Sequence, residues 1–325
     1  MNWSSQLLLN CFPNNTCQLF SNFPRAYKIE PMNNASLYFP QAIFPNASQC
    51  CMPNLTDLLY KLTTATPTYV KIFSPRCLRI DDHGYLVTIS RTNLTIVRFN
   101  ATDLTVIDTT YGLFTNAHNL EYNNGNYYIG TNSGILVVNS STLTVQNNIS
   151  SVFLNSPRDI MFLNDGNTLV VASANNARFL FFNRSNNFST DYNFNYQQLV
   201  NYSTPHGLFR VNDTFFYATS WGNNTVRSYS ALENSTQWNE NLFINAAPML
   251  PSGSGSHITV DDCGRWWFSL NNHGLRIFDD QGLFLGNMTL TNTSIFDTMI
   301  TENYIFYLSD GQSHRMIRID PGIQC

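Results

Sequence analysis

His118 and His206 occupy the same place in two copies of a repeated segment, and Arg76 and Arg158 occupy it in two others. A fifth copy has Ser256 there, with His257 beside it; in a sixth the place falls near Asp297, within one or two residues. Two imidazoles and a carboxylate with an open fourth position make a competent catalytic zinc site, where a metal-bound water is the nucleophile. The guanidiniums suit a different task, the planar recognition of a carboxylate. Other acidic pairs, Asp81-Asp82, Asp261-Asp262 and Asp279-Asp280, stand at polar turns, where Asp caps its own backbone. Phosphate loops, dinucleotide fingerprints and Gly-x-Ser-x-Gly elbows are absent from the sequence. Adjacent Cys50-Cys51 is poor metal geometry, and there is no Cys-x-x-Cys.

These residues need elements that bring them to one axis, and the repeat supplies them. SPRCLRIDDHGYLVTIS (74–90), NAHNLEYNNGNYYIGT (116–131), SPRDIMFLNDGNTLVVAS (156–173), TPHGLFRVNDTFFYATS (204–220) and GSHITVDDCGRWWFSL (255–270) realign every 40 to 50 residues. SIFDTMITENYIFYLSD (294–310) is a degenerate sixth copy. Each reads as apolar strand, tight polar turn, apolar strand, with Asn124-Gly125 and Asp165-Gly166 as hairpin signals. A second turn and a third strand follow, such as LTIVRF, RFLFF or GLRIF. Four short strands in a period of this size predict propeller blades.

The sixth copy ends after its third strand, and TPTYVKIF (66–73) can supply the missing outer one, which removes two open sheet edges. The expectation is an all-β, six-bladed β-propeller of four-stranded blades over 66–325. Residues 1–65 form a Cys-rich N-terminal extension, with one short helix after Thr56 (57–62). The start of each innermost strand lies at the top of the central channel. Arg76, His118, Arg158, His206 and Ser256 with His257 therefore list its mouth, and Asp297 completes a metal set with His118 and His206. Trp221, in the second turn of blade 4, is the aromatic best placed to touch a ligand. Trp266-Trp267 alternate along one strand and suit packing between blades.

Pro75-Arg76-Cys77-Leu78-Arg79-Ile80-Asp81 and Pro205-His206-Gly207-Leu208 resemble the strand-start pattern of NHL-type six-bladed propellers, with Cys77 in the glycine place. The resemblance covers roughly 66–325 and speaks to fold rather than function. Peptide-amidating lyases are similar propellers whose zinc is held by three Pro-His-x-apolar segments. His206 matches that segment, His118 follows Ala rather than Pro, and a third such His is lacking. Lactonase-type propellers hold a divalent ion such as calcium with Glu, Asn and Asp around the axis; Glu121, Asn119 and Asn175 are the corresponding oxygen donors here.

The composition points to a compartment. Of 325 residues only 12% are charged, with a net charge of −4, whereas 43 are Asn, 28 Ser and 30 Thr. Asn-x-Ser/Thr occurs 17 times, at Asn2, Asn14, Asn34, Asn46, Asn54, Asn93, Asn100, Asn139, Asn148, Asn183, Asn187, Asn201, Asn212, Asn223, Asn234, Asn287 and Asn292. Composition alone would give roughly 8, so the excess predicts N-linked glycans and a secreted or cell-surface protein. Asn100, Asn139 and Asn183 recur just after the third strand, at the outer edge; Asn93 and Asn223 fall in top-face turns. Four of seven cysteines, Cys11, Cys17, Cys50 and Cys51, crowd the first 51 residues and suggest disulfides, with Cys77 and Cys325 as further candidates and Cys325 expected to pair with Cys50 or Cys51. Met1 to Leu9 is no convincing signal peptide, so either a leader or an anchor has been removed or the secretory reading is wrong. No apolar run is long enough to span a membrane, and no basic block suits nucleic acid.

The expected role is an extracellular interaction or structural module without a cofactor, whose partners are other extracellular proteins or copies of itself. The alternative is a metal-dependent lyase or hydrolase with zinc or calcium in the channel.

Overall fold

The computed structural model describes residues 53–323 except 113, 115, 133, 187–188, 233–235, 250–254, 291 and 302, together with the backbone of three N-terminal strands. Two compact units result, one of residues 1–54 with 323–325 and one of residues 55–322. In the first, Leu8–Cys11 pairs antiparallel with Cys17–Phe20 on one side and Ser36–Tyr38 on the other. Cys11 stands opposite Cys17 in that register. Cys50, Cys51 and Cys325, and the sequons at Asn2, Asn14, Asn34, Asn46, Asn187 and Asn234, lie outside the described residues.

The second unit is the propeller. Six four-stranded antiparallel sheets follow in chain order, and each repeat segment forms one blade. Blade 1 starts at Arg79–Ile80, blade 2 at Asn119–Asn123, blade 3 at Pro157–Leu163, blade 4 at Pro205–Asn212, blade 5 at Gly255–Val260 and blade 6 at Ile295–Ile300. The inner hairpins close where sequence chemistry demands. Asn124 and Gly125 both adopt left-handed φ, 48° and 74°, the geometry a two-residue hairpin turn needs. Asp81, Asp261 and Asp279 each accept two backbone N–H bonds from the following turn, so the acidic pairs are turn caps as their positions imply.

Closure is as expected. Thr68–Lys71 is the outer strand of blade 6, pairing with Arg315–Ile319 in the register Lys71↔Arg315 to Thr68↔Arg318. A ring joined by pairing the first propeller strand with the last has no free edge at the seam.

The layers between blades hold the core. Between blades 3 and 4, Phe179, Phe181, Phe216, Tyr229 and Trp238 pack with ring centroids 4.9 to 5.7 Å apart. Each such side chain contributes roughly 1.5–3 kcal/mol on burial. Trp266 and Trp267 are both buried, the first against Tyr217 and Phe243, the second donating to Asp261 and packing on Phe306. Cys77 is also interior and is a free thiol. It therefore is not a disulfide partner: it fills the glycine place of blade 1 against Ala117 and Leu120, and burial pushes its thiol up to about 12.

The helix runs Leu55–Thr64. It buries Leu58 and Leu62, one turn apart, and lays Leu55 and Leu59 within 4 Å of the space above Gly286 on the outer strand of blade 5. It thus packs on the propeller, so the compact unit starts at Leu55 rather than at residue 66. No helix among the described residues is long and apolar enough to cross a membrane.

Candidate functional site

One local device repeats around the top face. The last residue of the second strand is Ser90, Ser173 and Ser220 in blades 1, 3 and 4, and its hydroxyl donates to a carbonyl just before the inner strand, at Phe73, Asn155 and Ser203. The next backbone N–H donates to that same approach: Arg91 to Ser74, Trp221 to Thr204. Thus the turn after the second strand is tied to the start of the first. Arg91, Asn132, Asn175, Trp221 and Asn271, in these turns, are brought beside Arg76, His118, Arg158 and His206.

Two cavities open there. One, of about 290 Å³, lies between Arg76, Arg91, Arg158, His206, Trp221 and Phe296. The other, of about 370 Å³, shares Arg91 and Arg158 with it and adds His118 and three asparagines. The Arg76 guanidinium stacks 3.7 Å from the Phe296 ring centre. Trp221 sits 5.2 Å from His206 and lies parallel to Phe296 at 6.3 Å. Arg158 Nη1 is 2.8 Å from His118 Nδ1, and His118 Nε2 is 3.0 Å from the Asn132 carboxamide oxygen.

The charge balance is one-sided. Among the described residues no carboxylate pairs with Arg76, Arg91 or Arg158. Burial, then Arg91 and Arg158, push Arg76 down to about 9. Burial and Arg158 push His118 down to about 4, and burial with Arg158 and Arg76 holds His206 well below its ordinary value. At neutral pH the mouth holds three guanidiniums and two uncharged imidazoles. The buried Nε atoms of Arg76 and Arg158 have no partner among the described residues.

Farther along the inner strands lies a second cluster of opposite character. Arg79 of blade 1 reaches Glu121 of blade 2 at 2.6 Å, Asp297 of blade 6 at 3.0 Å and Asp159 of blade 3 at 3.5 Å. His257 of blade 5 lies 2.7 Å from Asp297 and 3.5 Å from Asp159. Leu208 of blade 4 donates its backbone N–H to Asp159 at 2.5 Å, and Leu78 donates to Asp297 at 2.9 Å. Every blade therefore contributes to one axial network. Burial alone would lower His257, but Asp297 and Asp159 outweigh it and lift the imidazole to about 10, so it is a cation. Burial would raise Asp297, yet His257 and Arg79 hold it below the usual carboxylate range. Glu121 goes the other way, because burial exceeds the pull of Arg79. Gly207 makes room for this: a Cβ there would meet Ser256 O at 2.7 Å and His257 at 3.0 Å.

Of the residues expected at the mouth, Arg76, Arg158, His118, His206 and Trp221 line it. Ser256 is buried, its hydroxyl donating to Phe296 O and its carbonyl accepting from Thr219 and from the side of His206. His257 and Asp297 sit one residue deeper. The place expected for Asp297 belongs to Phe296. The inner strands of blades 3 and 6 carry the same bulge, between Pro157 and Asp159 and between Ile295 and Asp297, so Phe296 stands where Arg158 does and Asp297 where Asp159 does. Accordingly the structure does not gather His118, His206 and Asp297. Asp297 spends its oxygens on Leu78, Arg79, His257 and Thr298, while His118 faces a guanidinium. Among the described residues, the group of three His, Cys, Asp or Glu side chains with donor atoms within 4.8 Å is Asp81, Asp82 and His83, at a hairpin turn. Around the axis Glu121, Asp159 and Asp297 do converge, with Asn119 donating to Asp159, but Arg79 and His257 stand where a divalent ion would bind. Asn175 lies at the mouth instead.

Sequence reasoning missed the roles of Arg79 and Asp159. The signal was available: the residue after the mouth position reads Cys77, Asn119, Asp159, Gly207, His257 and Asp297, and two farther on stand Arg79 and Glu121.

No family model matches the sequence, and no curated protein matches it. Among solved structures the chain is similar to the β-propeller domain of Cps50 (Swd1) from Myceliophteria thermophila. The TM-score is 0.57 at 11% identity, covering 79% of this chain and 99% of that one. At that identity the likeness concerns the propeller fold alone.

Proposed function

We propose that the chain is an NHL-type interaction module, secreted or on the cell surface and N-glycosylated, whose ligand face is the channel mouth. The observation that carries this reading is the gathering of Arg76, Arg91 and Arg158, without a carboxylate partner, beside Trp221 and Phe296. Unbalanced, half-buried cations favour a site completed by an anion from outside. The axial carboxylates, by contrast, each have a cation partner within the chain, Arg79 or His257. Partners would be other extracellular molecules or further copies of the chain. Ten of the eleven sequon asparagines among the described residues are exposed, and Asn139 is half-buried, so the acceptor sites favour glycan attachment.

Two measurements on natively expressed protein test this. N-glycosidase treatment should lower the mass in several steps, and an unchanged mass contradicts the compartment. Elemental analysis after purification without chelator should find no stoichiometric zinc or calcium. Near-stoichiometric metal that disappears in a His118→Ala, His206→Ala double variant would replace the module reading with a metal-dependent lyase or hydrolase.

A further inference from the structure

We propose that the two joined cavities at the mouth bind an acidic saccharide, with its carboxylate or sulfate on Arg91 and Arg158 and its hydroxyls on the neighbouring asparagines. The inference rests on the mouth being the ligand face and adds what the ligand is.

The argument starts from the wall between the cavities. Arg91 and Arg158 line both, so an anionic group lodged there leaves the rest of the ligand extending to either side. On one side the wall is polar throughout: besides the two arginines and His118 it consists of Asn132, Asn155, Ser156 and Asn175. Of the ways a peptide docks, apolar pockets and a free strand edge are missing from this cavity, and only an acidic motif on the arginines is left, which would leave the row of carboxamides unused. Carboxamides both donate and accept, which matches vicinal hydroxyls. They are also held in place. Asn175 donates to Asn155 at 3.0 Å, Asn155 donates to Asn176 at 3.3 Å, and the Asn132 oxygen is fixed by His118. On the other side Trp221 gives a half-buried aromatic face, a surface on which the C–H face of a sugar ring can lie. Cavities of about 370 and 290 Å³ accommodate a few linked sugar rings rather than a single small anion.

The test is calorimetric titration of the full-length, natively glycosylated protein. Four probes are used: an oligogalacturonate tetrasaccharide, the same tetrasaccharide with its carboxyls reduced, inorganic sulfate and a tetra-aspartate peptide. The uronate should bind saturably, and the reduced sugar should bind at least about tenfold more weakly, the loss expected for one charged hydrogen-bonded contact. Arg158→Gln should lose a similar factor. Asn175→Ala, in an exposed turn where folding is not at risk, should weaken the uronate but leave sulfate affinity unchanged. Tighter binding of the peptide than of the uronate, through the same arginines, overturns the saccharide while leaving the mouth as a ligand face. Equal binding of the charged and reduced sugars, or uronate binding indifferent to both variants, overturns the inference outright. The glycosidase and metal measurements judge the module reading independently.

Discussion

His257 Nδ1 lies 2.7 Å from Asp297 Oδ1, which joins the inner strands of blades 5 and 6 by a buried ion pair at the axis of the ring. Because Asp159 of blade 3 faces the other ring nitrogen at 3.5 Å, one protonated imidazole spans three blades. Arg79 and Glu121 are the other charged groups of that cluster.

Stability should therefore depend on pH from both sides. The folded value of His257, about 10, exceeds its ordinary value near 6.5, so the folded state holds a proton that the unfolded chain has lost. Its contribution is complete below about 6.5 and declines as pH rises towards 10. His118 and His206 have lowered values, so the unfolded chain binds protons first and stability declines as pH falls below about 6.5. Urea titrations from pH 5 to 10 should give maximal stability between about 6 and 7, with an alkaline loss of roughly a few kcal/mol. His257→Asn should flatten the alkaline limb. An alkaline limb unchanged in that variant would contradict a protonated His257.

Gly207 tests the same network by packing. Its missing Cβ leaves the space into which His257 and Ser256 O close, so Gly207→Ala should destabilise by about 1–3 kcal/mol and also shift the alkaline limb. Denaturant midpoints that match the unsubstituted protein would show that the close approach is not needed.

The seam should be the weakest part of the ring when cut. Deleting 1–71 removes the strand that covers Arg315–Ile319 and leaves Met316 and Ile317 on an open edge. Such a chain should associate through that edge. Light scattering should show higher-order species, and a monomeric, equally stable product would contradict the closing role.

The blades were legible because each copy carries the whole signal: an apolar strand, a turn such as Asn124-Gly125, and a second strand. Closure was legible because the sixth copy lacks a fourth strand and 66–73 supplies one. The mouth was legible for the same reason, since Arg76, His118, Arg158 and His206 share one register. The axial network was legible only in part. The position after the mouth lines up Asp159, His257 and Asp297, but these meet across the ring rather than along the chain, and no spacing within a repeat encodes which opposite blade a side chain reaches. Asp297 shows how a single residue decides: counted from the bulge that blades 3 and 6 share, it matches Asp159 rather than Arg158, which leaves Phe296 at the mouth and Asp297 beside His257. The expected metal set is not gathered for a second reason as well, since His118 faces the Arg158 guanidinium and His206 lies against Ser256 O.

The most direct measurement of the central claim is thermal unfolding in sulfate against chloride at equal ionic strength, for the unsubstituted chain and an Arg76→Gln, Arg158→Gln variant. Sulfate stabilises any protein somewhat by exclusion from its surface, so the difference between the two chains is what counts. An anion bound at the mouth adds roughly 2.7 kcal/mol at a hundredfold excess over its dissociation constant. The sulfate-dependent rise in Tm should be larger for the unsubstituted protein and shrink in the variant to the exclusion effect alone. Equal rises in both chains would contradict an anion-binding mouth.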